Sequence, residues 1–144
     1  MFGTLKAGLQ EQMRRHRNRP FLEATTAASA LVALADEDLS LSESHRVDQI
    51  LENLEALSVY DVRKAKRRFQ DYVDAIRDDA ESGRIRALEA VTQIAEDAEE
   101  VELLVRVCMA VSWADGELHP AERTQIEDIC KLLDTEPPDF KAPG

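Results

Sequence analysis

The chain carries one nine-residue pattern twice, and that repetition limits its architecture more than any other feature. Ala35-Asp36-Glu37-Asp38-Leu39-Ser40-Leu41-Ser42-Glu43 returns as Ala114-Asp115-Gly116-Glu117-Leu118-His119-Pro120-Ala121-Glu122, at a constant offset of 79 positions. Flanking apolar positions keep that offset: Val32 against Val111, Val47 against Ile126, Ile50 against Ile129. An internal repeat of this kind implies two related supersecondary units packed in one fold. In each copy an Asp follows one apolar helical stretch and a Glu falls in the first turn of the next.

The rest of the sequence agrees with helices. Ala, Leu, Glu and Arg are abundant, whereas Gly and Pro number five each. The spacing of apolar residues predicts seven segments. A basic helix over 4–18 stops near Asn18-Arg19-Pro20. An apolar helix from Phe21 to Ala35 has a small-residue face of Ala24, Ala27, Ala28, Leu31 and Ala35. Ser40 and Glu43 form a capping box for a third helix, with Val47, Ile50, Leu51, Leu54 and Leu57 inward. A fourth starts at Ser58–Asp61 and buries Val62, Ala65, Phe69, Tyr72, Val73 and Ile76. Gly83 is expected to break the chain before a fifth helix at Ile85–Ala95, with Ile85, Leu88 and Ile94 inward. A sixth, Glu99–Ala114, turns its Val101, Leu104, Val105, Cys108 and Val111 inward; a seventh opens at His119-Pro120-Ala121-Glu122 and buries Ile126, Ile129, Cys130 and Leu133. The expectation is an all-α, single-domain bundle of about seven helices over 1–144. Its two pseudo-symmetric helix-turn-helix units cover about 21–57 and 99–134, and a tail covers 135–144.

Charge is unevenly distributed. The net charge is −11, yet residues 1–20 and 61–68 each carry +4, so the other 116 residues carry −19. Such a field repels phosphate, and the basic runs lack aromatic residues for base stacking, which argues against nucleic acid. Arg14, Arg15 and Arg17, with Arg63, Lys64 and Arg67, form candidate basic docking faces for anionic lipid or an acidic partner. A solvated helix surface is the plainer account of the same residues. No apolar run approaches the ~18 residues that span a bilayer, and no signal peptide is evident, so a soluble intracellular protein is expected. Cys108 and Cys130 fall on apolar stripes and read as buried thiols.

The acidic turns are the candidate site. Asp115, Gly116, Leu118 and Glu122 match positions five, six, eight and twelve of a calcium-binding EF-hand, but Val111 and Trp113 occupy positions one and three. A normal EF-hand is therefore excluded. If the two units pack about a pseudo-twofold axis, Asp36, Glu43, Asp115 and Glu122 converge. Four such oxygen ligands suit Ca²⁺, Mg²⁺ or Mn²⁺; Glu37, Asp38 and Glu117 are further acids in reach, and His119 would suit Zn²⁺. Helix capping explains Glu43 and Glu122 equally well, and a helix-ending turn explains Asp36 and Asp115. His119 reads first as an N-cap. No GxGxxG, P-loop, GxSxG or HExxH is present, so an enzyme is not expected.

The paired turns, the approach Val107-Cys108-Met109-Ala110-Val111-Ser112-Trp113-Ala114-Asp115-Gly116 and the exit Ile126-Glu127-Asp128-Ile129-Cys130 resemble the TerB-like family of tellurite resistance proteins. The start Phe2-Gly3-Thr4-Leu5-Lys6, the basic run ending at Arg19 and the helix start at Phe21 extend the resemblance to about residues 2–140. It implies an all-α, two-unit fold with acidic and basic surfaces apart. It implies a cytoplasmic stress-response protein, peripheral at the inner membrane face, with TerC-type membrane proteins and TerD-type calcium-binding proteins as partners. One departure stands out: Glu37 occupies a position where the pattern has Gly.

Overall fold

A computed structural model describes residues 19–35, 45, 62–113 and 116–141. Five helices run through them, with no strand among the described residues: α1 (Arg19–Ala33), α2 (Val62–Asp78), α3 (Ala80–Thr92), α4 (Ala98–Ser112) and α5 (Pro120–Leu132). The helix expected over 4–18 lies outside the described residues, as does all but residue 45 of the one expected over 40–57; the described residues are all-α with five helices, where about seven are expected over the whole chain.

α1 is the hub. It packs extensively on α2, α3 and α4 and less on α5. Every residue from Ala24 to Leu34 is buried. A helix can be buried all round only if its sides are apolar and small enough for neighbours to approach. Ala24, Ala27, Ala28, Ala30 and Ala33 meet that need, and Phe21 and Val32 fill the wider gaps. The hydroxyls on this helix turn back on its own carbonyls: Thr26 Oγ1 donates to Leu22 O at 2.8 Å and Ser29 Oγ to Thr25 O at 2.8 Å. Thr25 Oγ1 has no such partner.

α2 is amphipathic. Ala65, Phe69, Tyr72, Val73 and Ile76 form the expected inward stripe. Its contact with α1 is tied by a polar lock: Tyr72 Oη donates to Glu23 Oε2 at 2.5 Å, and Arg68 Nε lies 3.1 Å from Glu23 Oε1. Burial, then the bond to Glu23, hold the Tyr72 phenol far above its usual pKa.

The chain between α2 and α3 departs from expectation. The boundary is at Asp79, whose side chain accepts from the Ser82 N–H at 3.3 Å and starts α3. Gly83 is therefore inside the first turns of α3 and buried, not a break. It is where α3 presses on the end of α2. A Cβ there would stand 2.5 Å from Ala75 O, so only glycine allows this approach. Moving the helix start upstream also changes which residues face in. Ile85 is 52% exposed, while Ala87, Val91 and Ile94 are buried.

α4 and α5 complete the core with Val101, Leu104, Cys108, Val111, Ile126, Ile129, Cys130 and Leu133 as expected; Val105 is only partly buried. α1 and α4 end at Ala33 and Ser112, which are 79 positions apart, the offset of the repeat. Val47 and Ile50, the partners of Ile126 and Ile129, lie outside the described residues.

Candidate functional site

The described part of the site is Trp113, residues 116–119 and the start of α5. Trp113 caps α4, its N–H donating to Met109 O at 3.1 Å. Gly116 then adopts φ +85°, a left-handed conformation that glycine takes without strain, and its N–H donates to Trp113 O at 2.9 Å. The chain extends through His119, the N-cap, to Pro120 at the first helical position. Glu122 reaches back, and its Oε1 accepts the His119 N–H at 3.3 Å. This is the acidic half of a capping box, placed at the positive end of the α5 dipole.

Glu122 is only 7% exposed, an unusual state for a carboxylate. Its position is thus set twice, by the cap and by its burial. Glu117, in the same turn, is exposed. Asp115, Asp36 and Glu43, the other three proposed ligands, lie outside the described residues, as do Glu37 and Asp38. Among the described residues no three His, Cys, Asp or Glu side chains are grouped to hold a metal. The indole Nε1 of Trp113 is buried and has no hydrogen-bond acceptor among the described residues.

Arg63, Lys64 and Arg67 are all exposed on the first half of α2. That half has no acidic residue in its first turn, whereas Asp71, Asp74 and Asp78 populate the second half. Arg14, Arg15 and Arg17 lie outside the described residues. α2 and α5 both pack on α1 and share no extensive contact with each other, so these cations and Glu122 stand on different helices around the hub. No described helix is long and apolar enough to cross a membrane.

The cysteines face the core between α4 and α5. Burial pushes both thiols above their ordinary pKa; Cys130 adds to the effect at Cys108, and Glu127 to that at Cys130. Neither is poised as a nucleophile.

The start of α4 uses a different device, one that the repeat does not announce. Asp97 is its N-cap, and Oδ1 accepts from the Glu99 and Glu100 N–H groups at 3.0 and 3.1 Å. Asp followed by acidic residues ahead of an apolar run is the sequence signal for it.

The described residues thus form an all-α helical bundle with a capped acidic turn and a basic surface on a different helix. A sequence model of the tellurite resistance protein TerB family matches residues 22–143. The chain belongs to that family. It is 27% identical over 108 residues to a protein of Alcaligenes sp named Tellurium resistance protein TerB, an alignment spanning 73% of this chain and 88% of that one. No solved structure matches it.

Proposed function

We propose that this chain is a non-catalytic binding protein of the tellurite-resistance response, and that its two acidic turns hold a divalent cation between Asp36, Glu43, Asp115 and Glu122. Its family membership supports the first part. For the second, the carrying observation is the buried Glu122 carboxylate, fixed at the start of α5 directly after an acidic turn. A ligand held in place before the ion arrives needs little ordering on binding. Ca²⁺, Mg²⁺ and Mn²⁺ are the ions whose oxygen preference fits; Zn²⁺ would recruit His119. The exposed cations of α2, with Arg14, Arg15 and Arg17, supply a basic face for an anionic membrane surface or an acidic partner, in the cytoplasm at the inner face of the membrane. TerC-type and TerD-type proteins are the partners this reading puts first.

One observation favours a second reading, an interaction module without metal. Glu122 Oε1 already serves the α5 cap. Calorimetric titration of the chelator-treated full chain with each of the four ions separates the two. On the first reading, at least one ion gives saturable one-to-one heat, lost in a variant carrying Asp115→Asn and Glu122→Gln. On the second, no ion gives binding heat at millimolar concentration, where even weak calcium modules fill.

A further inference from the structure

A second surface feature lies away from the acidic turn and α2. The α3–α4 connection, the first half of α4 and the segment after α5 enclose a groove of about 530 Å³. Val101, Val105, Leu133 and Pro138 give it an apolar floor, and Glu96, Glu102, Asp134 and Glu136 stand around it. The one cation in its lining, Arg106, is engaged by Glu102 at 3.1 Å. Glu96, Asp134 and Glu136 have no ion-pair partner among the described residues. Three uncompensated carboxylates around one apolar floor raise the local concentration of cations and disfavour acidic ligands.

The groove is also braced. Its outer wall is the chain after α5, and that wall is tied at both ends. Thr135 N–H donates to Cys130 O at 2.9 Å, and Asp134 takes the left-handed conformation that starts the bend. Pro137 and Pro138 stiffen the middle. Phe140 then packs on the core, with the Arg123 guanidinium 4.7 Å from its ring centroid. A wall already in place removes much of the ordering cost of binding.

We propose that this groove docks a basic amphipathic segment of a partner polypeptide. The segment lays Lys or Arg stems along Val105 and Pro138 and sets their charged heads among Glu96, Asp134 and Glu136. Long cationic side chains suit this lining because their methylenes cover apolar surface while their heads stay at the rim. The surface is separate from the proposed cation site, so docking proceeds in chelator.

The probe is a fluorescent amphipathic peptide of Leu and Lys, with a Leu and Glu peptide of the same pattern as control. Anisotropy with the full chain in chelator is expected to show saturable binding of the Lys peptide only, weakening as salt rises. A variant carrying Glu96→Gln, Asp134→Asn and Glu136→Gln should lose about tenfold or more in affinity. Asn is well tolerated at the left-handed position 134, which protects the fold of this variant. Val105→Arg, which places a cation over the floor from within, should weaken binding comparably. Neutralising three acids outside the groove, with Asp71→Asn, Asp78→Asn and Glu81→Gln, should leave the affinity within about twofold. Equal losses in the two triple variants would reduce the effect to general charge and overturn the proposal. Tighter peptide binding by about tenfold after Arg14→Gln, Arg15→Gln and Arg17→Gln would also overturn it, because the chain's own basic segment would then be the occupant.

Discussion

α4 and α5 both begin with carboxylates at the helix N-terminus, but they use them differently. At α4, the Asp97 side chain accepts from two helical N–H groups, and the acid is accounted for by the helix it starts. At α5, the N-cap is His119 and the carboxylate comes from the third helical position, with one oxygen accepting one N–H. The turn before it also carries Asp115 and Glu117 in its sequence. Acidic residues at a helix start are therefore not evidence of a ligand site in themselves. What distinguishes α5 is the direction of its cap: Glu122 reaches back from the third helical position to the His119 N–H, whereas at α4, where the third-position Glu100 is just as buried, the capping carboxylate is Asp97 ahead of the helix. The start of α3 sets a third case, where a plain Asp79 cap begins the helix and the constraint comes from a glycine contact.

That third case has the largest expected effect. Gly83→Ala would force a methyl into the Ala75 carbonyl, a backbone atom that cannot swing aside. A loss of about 3 kcal/mol or more in denaturant unfolding is expected, well beyond a lost cap. A cost below about 1 kcal/mol would mean that α2 and α3 separate freely.

Removing the α4 cap comes next. Asp97→Ala should cost about 1–2 kcal/mol, since two N–H groups lose their acceptor, and should leave any ion response untouched. If Asp97→Ala abolished the ion response, the contrast between the two helix starts would fail.

The smallest effect concerns the core that both helices line. Burial raises the Cys108 thiol above its ordinary value of 9.0, and Cys130 is raised for the same reason. The folded state thus holds these protons more tightly than the unfolded chain. Stability is fully present below about pH 9 and declines as pH rises above it, because the unfolded thiols ionise first. Cys108→Ala should flatten that decline in urea melts between pH 8 and about 10.5, at the cost of a small cavity. Native labelling of either thiol should be slow; fast labelling of Cys130 would show that α5 opens locally.

Much of this architecture is legible from spacing. The inward stripes of α2, α4 and α5 follow the 3.6-residue period, and Pro120 with Glu122 marks the start of α5. Gly83 misleads because a glycine beside polar residues looks like a break; its reason is the nearby α2 backbone, which is a tertiary contact. The exposure of Ile85 follows from that same shift in the start of α3. The groove is invisible in the sequence for a related cause. Arg123 and Phe140 are seventeen positions apart, and nothing local announces that the tail folds back along α5. Of the proposed ligand set, Glu122 is placed by the structure in the capping role its position implies; Asp36, Glu43 and Asp115 lie outside the described residues.

The central claim is that the turn before α5 holds a cation and the start of α4 does not. Trp113, the sole tryptophan, caps α4 at the beginning of that turn and reports on it directly. Its emission and the thermal midpoint should be followed together as chelator-treated protein receives Ca²⁺, Mg²⁺, Mn²⁺ or Zn²⁺. At least one ion is expected to change the emission and stabilise the fold, by roughly 2.7 kcal/mol at a hundredfold excess over Kd. Asp115→Asn with Glu122→Gln should remove both responses, while Asp97→Ala keeps them. An unchanged emission and an unchanged midpoint with all four ions at millimolar concentration would contradict the claim, and would leave the acidic turns as caps.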